Sequence, residues 1–196
     1  MRSFWLRGFA AVALAAGSFP LHGASDPLLL DDFSSGGAQA LIGTRWEAFT
    51  DRVMGGRSDM AAGVAPMDGE YVLRMTGAVS LENNGGFIQV RLPLPDSRRT
   101  EAASFTGVFL EVRGAPGSYY IHLRDNRTRA PWAYYRQRID VRDDWQTVRL
   151  PFDAFESAGM LRSLTPNVDR LQSVAIVAAG EAFDADIMVR SIGLYR

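Results

Sequence analysis

The chain has 196 residues, 47% of them hydrophobic, which suits one globular domain with a buried core. Its 21 basic and 22 acidic residues give a formal net charge of −1, and this balance disfavours a nucleic-acid partner. Every basic residue is arginine and cysteine is absent, which excludes Schiff-base and phosphate-loop lysines, disulfides and thiolate chemistry. With only two histidines, the composition favours binding over catalysis.

Residues 1–24 have the layout of a secretory signal peptide. Two arginines precede an apolar run at 9–16, which is shorter than the about 20 residues that a membrane span needs. We expect cleavage after Ala24, with a site a few residues earlier or an uncleaved interfacial anchor as alternatives. The expected product is a single domain at 25–196, periplasmic or secreted, with a net charge of 19 − 22 = −3.

Short runs with period-two alternation follow, and glycine and proline separate them. We predict strands at 70–75, 105–113, 119–124, 132–141, 145–152, 174–178 and 187–194. Residues 78–91 are predicted to form a hairpin around a turn at 83–86, because asparagine and glycine tolerate positive φ. Helical signals are weak, and residues 153–164 are expected to contain only a turn or two. The predicted fold class is all-β, an antiparallel sandwich or jelly roll.

The alternation also predicts which side chains form the core. One residue in two along each predicted strand is apolar and is expected to be buried. These residues are Val79, Leu81, Ile88, Val90, Val108, Leu110, Val112, Ile121, Leu123, Val148, Leu150, Ile176 and Val189.

Three motifs together resemble the complex I intermediate-associated protein 30 family. The first is Trp46 with the octet at 51–58 (DRVMGGRS), the second is GAVSLENNGGF at 77–87, and the third is WQTVRLPF at 145–152. The Asp-Asp-Phe opening at 31–33 and the closing strand at 192–195 fit as well, so the resemblance covers residues 30–196. The motif residues are Trp46, Asp51, Arg52, Gly55, Gly56, Ser58, Asn83, Asn84, Gly85, Gly86, Phe87, Trp145, Pro151 and Phe152.

The resemblance implies a galactose-binding-like jelly roll without enzymatic activity. Mitochondrial members of that family act as assembly factors for respiratory complex I, and related sandwiches bind carbohydrate. The predicted export signal departs from this pattern, since assembly of the peripheral arm takes place on the matrix side, which corresponds to the bacterial cytoplasm. We therefore expect an exported member whose partner is different.

The sequence indicates one candidate binding face. If 119–124 and 132–138 are adjacent antiparallel strands, one side of the sheet carries a stripe of aromatic and arginine side chains. The stripe consists of Tyr120, His122, Arg124, Trp132, Tyr134 and Arg136. Aromatic rings stack on sugars and arginine binds hydroxyls or carboxylates. The alternative is a solvated face on which arginine stems cover the rings.

Arg52 and Arg57, which flank the two glycines of the first motif, form a second candidate for an anion or a partner's carboxylate. The alternative is a structural bend held by hydrogen bonds from Asp51 and Arg52. The turn at 83–86 is explained by its predicted hairpin. His122 has no evident catalytic partner, although Glu111 and Asp125 are open to that role.

Neither a cofactor nor a metal is predicted. A calcium site of oxygen ligands stays open, because acidic pairs occur at 31–32 and at Asp184 and Asp186, near the two chain ends.

Two functions compete. The leading hypothesis is a non-catalytic, assembly-factor-like module that binds a protein partner in the cell envelope. The alternative is a carbohydrate-binding module that uses the aromatic and arginine face. An enzyme working through carboxylates is third.

Overall fold

The fold consists of two antiparallel sheets, which we call the front sheet and the back sheet. The computed structural model describes residues 26–159, 161 and 165–196, with backbone alone at 98–100. The predicted signal peptide, residues 1–24, lies outside the described residues. In the part of the chain that the structure covers, no helix is long and apolar enough to cross a bilayer.

The back sheet has the strand order β3-β4-β12-β6-β9, and β1 pairs with the far end of β12. Its strands are β1 (Leu28–Asp31), β3 (Ala61–Met67), β4 (Glu70–Val79), β6 (Gly107–Gly114), β9 (Gln146–Pro151) and β12 (Phe183–Tyr195). Leu28 lies opposite Leu194, so the first and last strands of the fold are neighbours.

The front sheet has the order β10-β8-β7-β11-β5-β2. Its strands are β2 (Glu47–Thr50), β5 (Phe87–Pro93), β7 (Tyr119–Asp125), β8 (Tyr134–Ile139), β10 (Glu156–Ala158) and β11 (Leu171–Ala179). One short helix, α1 (Asp96–Glu101), follows β5, and five 3₁₀ turns occur among the described residues. The all-β antiparallel sandwich is confirmed.

The core lies between the two sheets and consists of the inward members of the alternating strands. Eleven of the thirteen residues predicted to be buried are buried, with exposures of 0–3%. Val148 is partly buried, because β9 is at the edge of the back sheet. The prediction for Leu81 was wrong: the chain has left β4 at that point, and the side chain is 52% exposed.

The predicted hairpin at 78–91 was also wrong. β4 belongs to the back sheet and β5 to the front sheet, so residues 80–86 cross from one sheet to the other. Asn83 and Asn84 do adopt positive φ, 55° and 56°, but within a 3₁₀ turn. The dihedral preference that favours hairpin turns suits this crossing equally well.

Four strands and the helix were not predicted. β2, β3 and β10 are at or next to sheet edges, and β1, β2 and β10 are only three or four residues long. Alanine, glycine and proline in β3 weaken its β-propensity. β10 occupies part of the segment for which only helical turns were expected.

Candidate functional site

The candidate stripe lies on two neighbouring strands, as the sequence suggested. β7 and β8 are antiparallel partners, with His122 opposite Arg136 and Tyr120 opposite Arg138. The side chains between them, Ile121 and Leu123, point into the core. We call the outward side of this sheet the front face; it carries Tyr120, His122 and Arg124 of β7, and Tyr134, Arg136 and Arg138 of β8.

The imidazole of His122 stacks on the ring of Tyr134. The ring centroids are 4.0 Å apart and the planes differ by 11°. Burial lowers the pKa of His122 to about 3, with a smaller contribution from the positive charge of Arg136. His122 is therefore neutral at physiological pH and takes part in the face as an uncharged ring.

Neither carboxylate considered as a catalytic partner for His122 plays that role. Asp125 is fully buried and binds Arg127, while Glu111 lies on the back sheet, where it contacts Arg190. The described residues thus give His122 no orienting acid, and the structure offers no support for general base catalysis there.

The ring of Tyr120 is covered by arginines. The guanidinium of Arg136 is 5.5 Å from the ring centroid, and that of Arg138 is 6.0 Å away. Arg136 also lies 3.9 Å from Glu156 on the neighbouring strand β10. Tyr120 and Tyr134 are half-buried as a result, so the aromatic stripe is less bare than its composition suggests.

Arg124 is fixed by the loop that joins β7 to β8. Its Nη2 donates to the carbonyls of Thr128 and Ala130, the latter at 2.9 Å. The loop is held by buried Asp125, which accepts hydrogen bonds from Arg127 and from the backbone N–H of Asn167. Burial would raise the pKa of Asp125, but these hydrogen bonds outweigh it and hold that pKa below its usual value.

Trp132 does not lie on a strand but in the turn before β8. Its side chain is 57% exposed, which makes it the one bare aromatic ring of the six candidate residues. Gly159, just after β10, packs against the Trp132 carbonyl with no room for a Cβ. Trp132 therefore forms an exposed rim at the β8 end of the front face.

Sequence reasoning missed the other half of this face. β11 and β5 continue it with Ser173, Ala175 and Val177, and with Gln89 and Arg91. The small side chains of β11 lie between long ones on β7 and β5 and are nearly covered by them, with Ala175 4% and Val177 1% exposed. No local signal gives this, since strand order in a sandwich depends on contacts distant in sequence.

The first two motifs meet at the Asp51 carboxylate. Asp51 is fully buried and accepts hydrogen bonds from the backbone N–H groups of Ser58 (2.9 Å) and Gly86 (2.6 Å), and from the Ser58 hydroxyl. A Cβ at Gly56 or Gly85 would overlap the same carboxylate. Burial would raise the pKa of Asp51, but the hydrogen bonds lower it overall. This geometry favours the structural interpretation of the octet.

Arg52 and Arg57 point outward at the same end of the molecule. Arg52 donates to the Ser58 carbonyl at 2.9 Å and lies 3.4 Å from Asp59, and Arg57 lies 3.0 Å from Glu82. Each already has an exposed acidic partner, so neither presents an unpaired charge. Three large apolar side chains on the same two loops are exposed: Val53 (70%), Met54 (57%) and Leu81 (52%). These three residues form the apolar tip.

The remaining motif residues have structural contacts. Trp46 donates from Nε1 to Asp31 at 2.7 Å, Phe152 is buried next to Pro151, and Trp145 packs under Arg190 with 4.2 Å to the ring centroid. Asp31 lies opposite Ile192, whereas Asp186 forms an ion pair with Arg74. The two acidic pairs considered for calcium therefore do not form one cluster. Within the described ranges, no group of three or more acidic or histidine side chains could hold a metal ion.

The solved structures most similar in fold include carbohydrate-binding modules. A family 11 module of the cellulosomal cellulase Lic26A-Cel5E of Clostridium thermocellum matches with a TM-score of 0.67 and 14% identity, over 87% of this chain and 94% of that one. The Clostridium thermocellum module in complex with a β-1,3-1,4-mixed-linked tetrasaccharide matches with a TM-score of 0.65 and 14% identity, over 86% and 94%. An exo-β-agarase matches with a TM-score of 0.53 and 8% identity, over 85% of this chain but 25% of that one. These likenesses confirm the antiparallel β-sandwich.

None of the curated proteins matches this chain in sequence. The family model of Complex I intermediate-associated protein 30 (CIA30) matches residues 37–186, which contain all three motifs. The chain belongs to the Complex I intermediate-associated protein 30 family.

Proposed function

We propose that the protein is a non-catalytic carbohydrate-binding module and that the front face holds the sugar. One observation carries this proposal: aromatic rings and arginine guanidiniums share one outward sheet face, with the stacked pair His122–Tyr134 on it and Trp132 exposed at its rim. A sugar ring needs an apolar surface for its C–H groups and directional donors for its hydroxyls, and this face supplies both. The family 11 modules that share the fold give the hypothesis a precedent in sandwiches of this type.

The character of the exposed surface favours sugar over protein on this face. Apart from Trp132 at the rim, the large exposed apolar side chains of the described residues lie elsewhere. A protein interface would be expected to present an apolar centre inside a polar rim. Here the apolar side chains at the centre, Ala175 and Val177, are buried among charged and aromatic neighbours.

The experiment is a glycan array followed by calorimetric titration of each hit. It uses the unsubstituted protein and the variants Trp132→Ala and Tyr134→Ala. We expect each substitution to weaken binding by about 1–3 kcal/mol, the range of interface truncations, with little change in thermal stability. Tyr71→Ala is the matched control, since this tyrosine is 42% exposed on the back sheet. Equal affinity in all four proteins would move the site away from the front face.

A second function is favoured by the family and by the apolar tip. We propose that an assembly-factor-like role uses Val53, Met54 and Leu81 to contact a protein in the cell envelope. Single apolar residues are common on surfaces, but here three large exposed ones lie on the two loops that Asp51 joins. Replacing Val53 and Met54 by serine should then abolish pull-down of that protein and leave glycan binding unchanged.

Export is part of both proposals. N-terminal sequencing of the protein recovered from the periplasm or medium should begin near residue 25. An intact Met1 on a cytoplasmic protein would contradict the proposed location and restore a role in complex I assembly on the cytoplasmic side.

A further inference from the structure

A pocket of about 250 Å³ opens on the front face. Arg91, Pro93, Arg124, Gln172 and Ser173 line it, so it spans strands β5, β11 and β7. Tyr134 lies on the neighbouring strand β8, across Arg124 from the pocket. Leu123 and Tyr135 are paired partners, and Arg124 and Tyr134 each lie one residue further toward the same end of the sheet. A sugar ring on Tyr134 would thus have a neighbouring group within reach of the pocket.

The pocket has an excess of positive charge. Arg91 donates through Nε to Glu47 at 3.1 Å, which neutralises that guanidinium in part. Arg124 has carbonyl oxygens as its acceptors, those of Thr128, Ala130 and Pro131, and touches no carboxylate within the described residues. Carbonyls satisfy its donors but do not balance its charge. None of the residues that line the pocket is acidic. The two arginines, Arg91 and Arg124, thus have one nearby carboxylate between them, that of Glu47.

Donors remain available in this pocket. The Nε–H of Arg124 has no acceptor in the part of the chain that the structure describes, because its hydrogen bonds all come from the terminal nitrogens. Ser173 is 6% exposed and makes no side-chain hydrogen bond there. Burial lowers the pKa of Arg124, and repulsion from Arg91 adds to this shift. An anion between the two arginines would relieve that repulsion and use the unused donors.

We propose that this pocket binds the carboxylate or sulfate group of an acidic glycan whose sugar ring rests on Tyr134. The inference rests on the proposed carbohydrate function and narrows it from sugars in general to anionic ones. Arg124 and Ser173 would donate to the anionic oxygens, while Arg91 supplies long-range attraction. A neutral sugar would leave the charge of Arg124 without a counterion.

The test is calorimetric titration with paired oligosaccharides. Oligomers of galacturonate, mannuronate and glucuronate, and of sulfated galactose, are each compared with the methyl-esterified or desulfated form of the same chain. We expect at least one acidic probe to bind about tenfold or more tightly than its neutral counterpart, as charge-assisted hydrogen bonds imply, and to weaken as salt rises. Whether the uronates or the sulfated galactans bind tells the two anion types apart.

Four variants at three positions locate the effect. Arg124→Gln should remove the acidic preference, while Arg149→Gln, an equal charge change on the back sheet, should preserve it. Because Arg124 also stabilises the loop at 128–131, Arg124→Gln could weaken binding by disturbing the fold. Gln172 is therefore substituted as well. Gln172 is exposed at the pocket and its side chain makes no hydrogen bond within the described residues. Gln172→Glu should weaken acidic ligands about two- to fivefold and Gln172→Lys should strengthen them by a similar factor.

The outcomes separate the two proposals. Equal binding of acidic and neutral probes at the front face overturns this inference and keeps the carbohydrate function. If the preference for acidic probes is the same in both Gln172 variants as in the unsubstituted protein, the anion binds elsewhere, and this result also overturns the inference. No binding of any probe overturns the carbohydrate function itself.

Discussion

Replacing Asp51 by alanine should destabilise the domain more than replacing any exposed charged residue would. The carboxylate joins two loops that are separated by about 30 residues in the chain, one at 51–58 and the other at 80–87. It accepts from Ser58 twice, from Gly86, and from Phe87 at 3.3 Å. The side chain is fully buried, so water cannot reach all the donors that the substitution leaves behind.

The magnitude follows from those orphaned donors. A buried donor without a partner costs about 1–3 kcal/mol, and the Ser58 hydroxyl can turn to the Ser80 carbonyl. Alanine also removes the cost of burying a charge, which offsets part of the loss. We expect a net loss of about 3 kcal/mol in the free energy of unfolding.

Gly85 provides a second substitution that probes the contact, although its Cβ would also lie 3.0 Å from the Glu82 carbonyl. Its φ of −73° suits any residue, so Gly85→Ala adds no backbone strain, but the new Cβ would overlap the Asp51 carboxylate. We expect Gly85→Ala to cost about 1–3 kcal/mol in the wild type, as overpacking does, and about 1 kcal/mol less when Asp51 is already alanine.

Urea unfolding of the four proteins, with midpoints and slopes compared, measures this cycle. A loss below about 1 kcal/mol for Asp51→Ala, or additive losses in the double variant, would refute the claim that this carboxylate holds the two loops together.

Three further predictions concern pH and packing. Hydrogen bonds hold the pKa values of Asp51 and Asp125 below their usual range. The stabilisation that these two carboxylates give is therefore present above about pH 4 and is lost as the pH falls through the lowered pKa values. The urea midpoint should drop below pH 4, and it should drop less for Asp51→Ala. Since His122 stays neutral down to about pH 3, affinity for a neutral glycan should be constant from pH 5 to 8, and a titration centred near 6.5 would contradict the burial of that imidazole. Leu123→Ala should cost about 2–5 kcal/mol in urea unfolding, because the side chain is 1% exposed in the front sheet.

Period-two alternation identified most of the long strands and most of the core. In β7 and β8 it also gave the shared face, since Asp125 to Pro131 is a connection short enough for adjacent antiparallel strands. Local sequence carries this information because side chains on a strand alternate whatever the rest of the fold does.

The partners of that face could not be predicted in the same way. Arg91 and Ser173 come within reach of Arg124 only through the order β7-β11-β5, and those strands are far apart in the chain. The residues at 83–86 show the same limit, because their dihedral preferences are alike in a hairpin and in a crossing between sheets. The role of Asp51 depends on a contact with Gly86, 35 residues away.

The pairing of β1 with the end of β12 has a mechanical consequence. Leu28 is opposite Leu194 and Leu29 is opposite Gly193, so the two ends of the fold leave the sheet side by side. The hydrogen bonds of an antiparallel pair run across the strands. A force that pulls Asp26 away from Arg196 therefore loads these bonds one after another, as in a zip, rather than all together in shear. Tension between the ends should peel β1 off at low force, whereas β12 stays paired with β6 over 187–195 and with β4 over 183–189 and should resist longer.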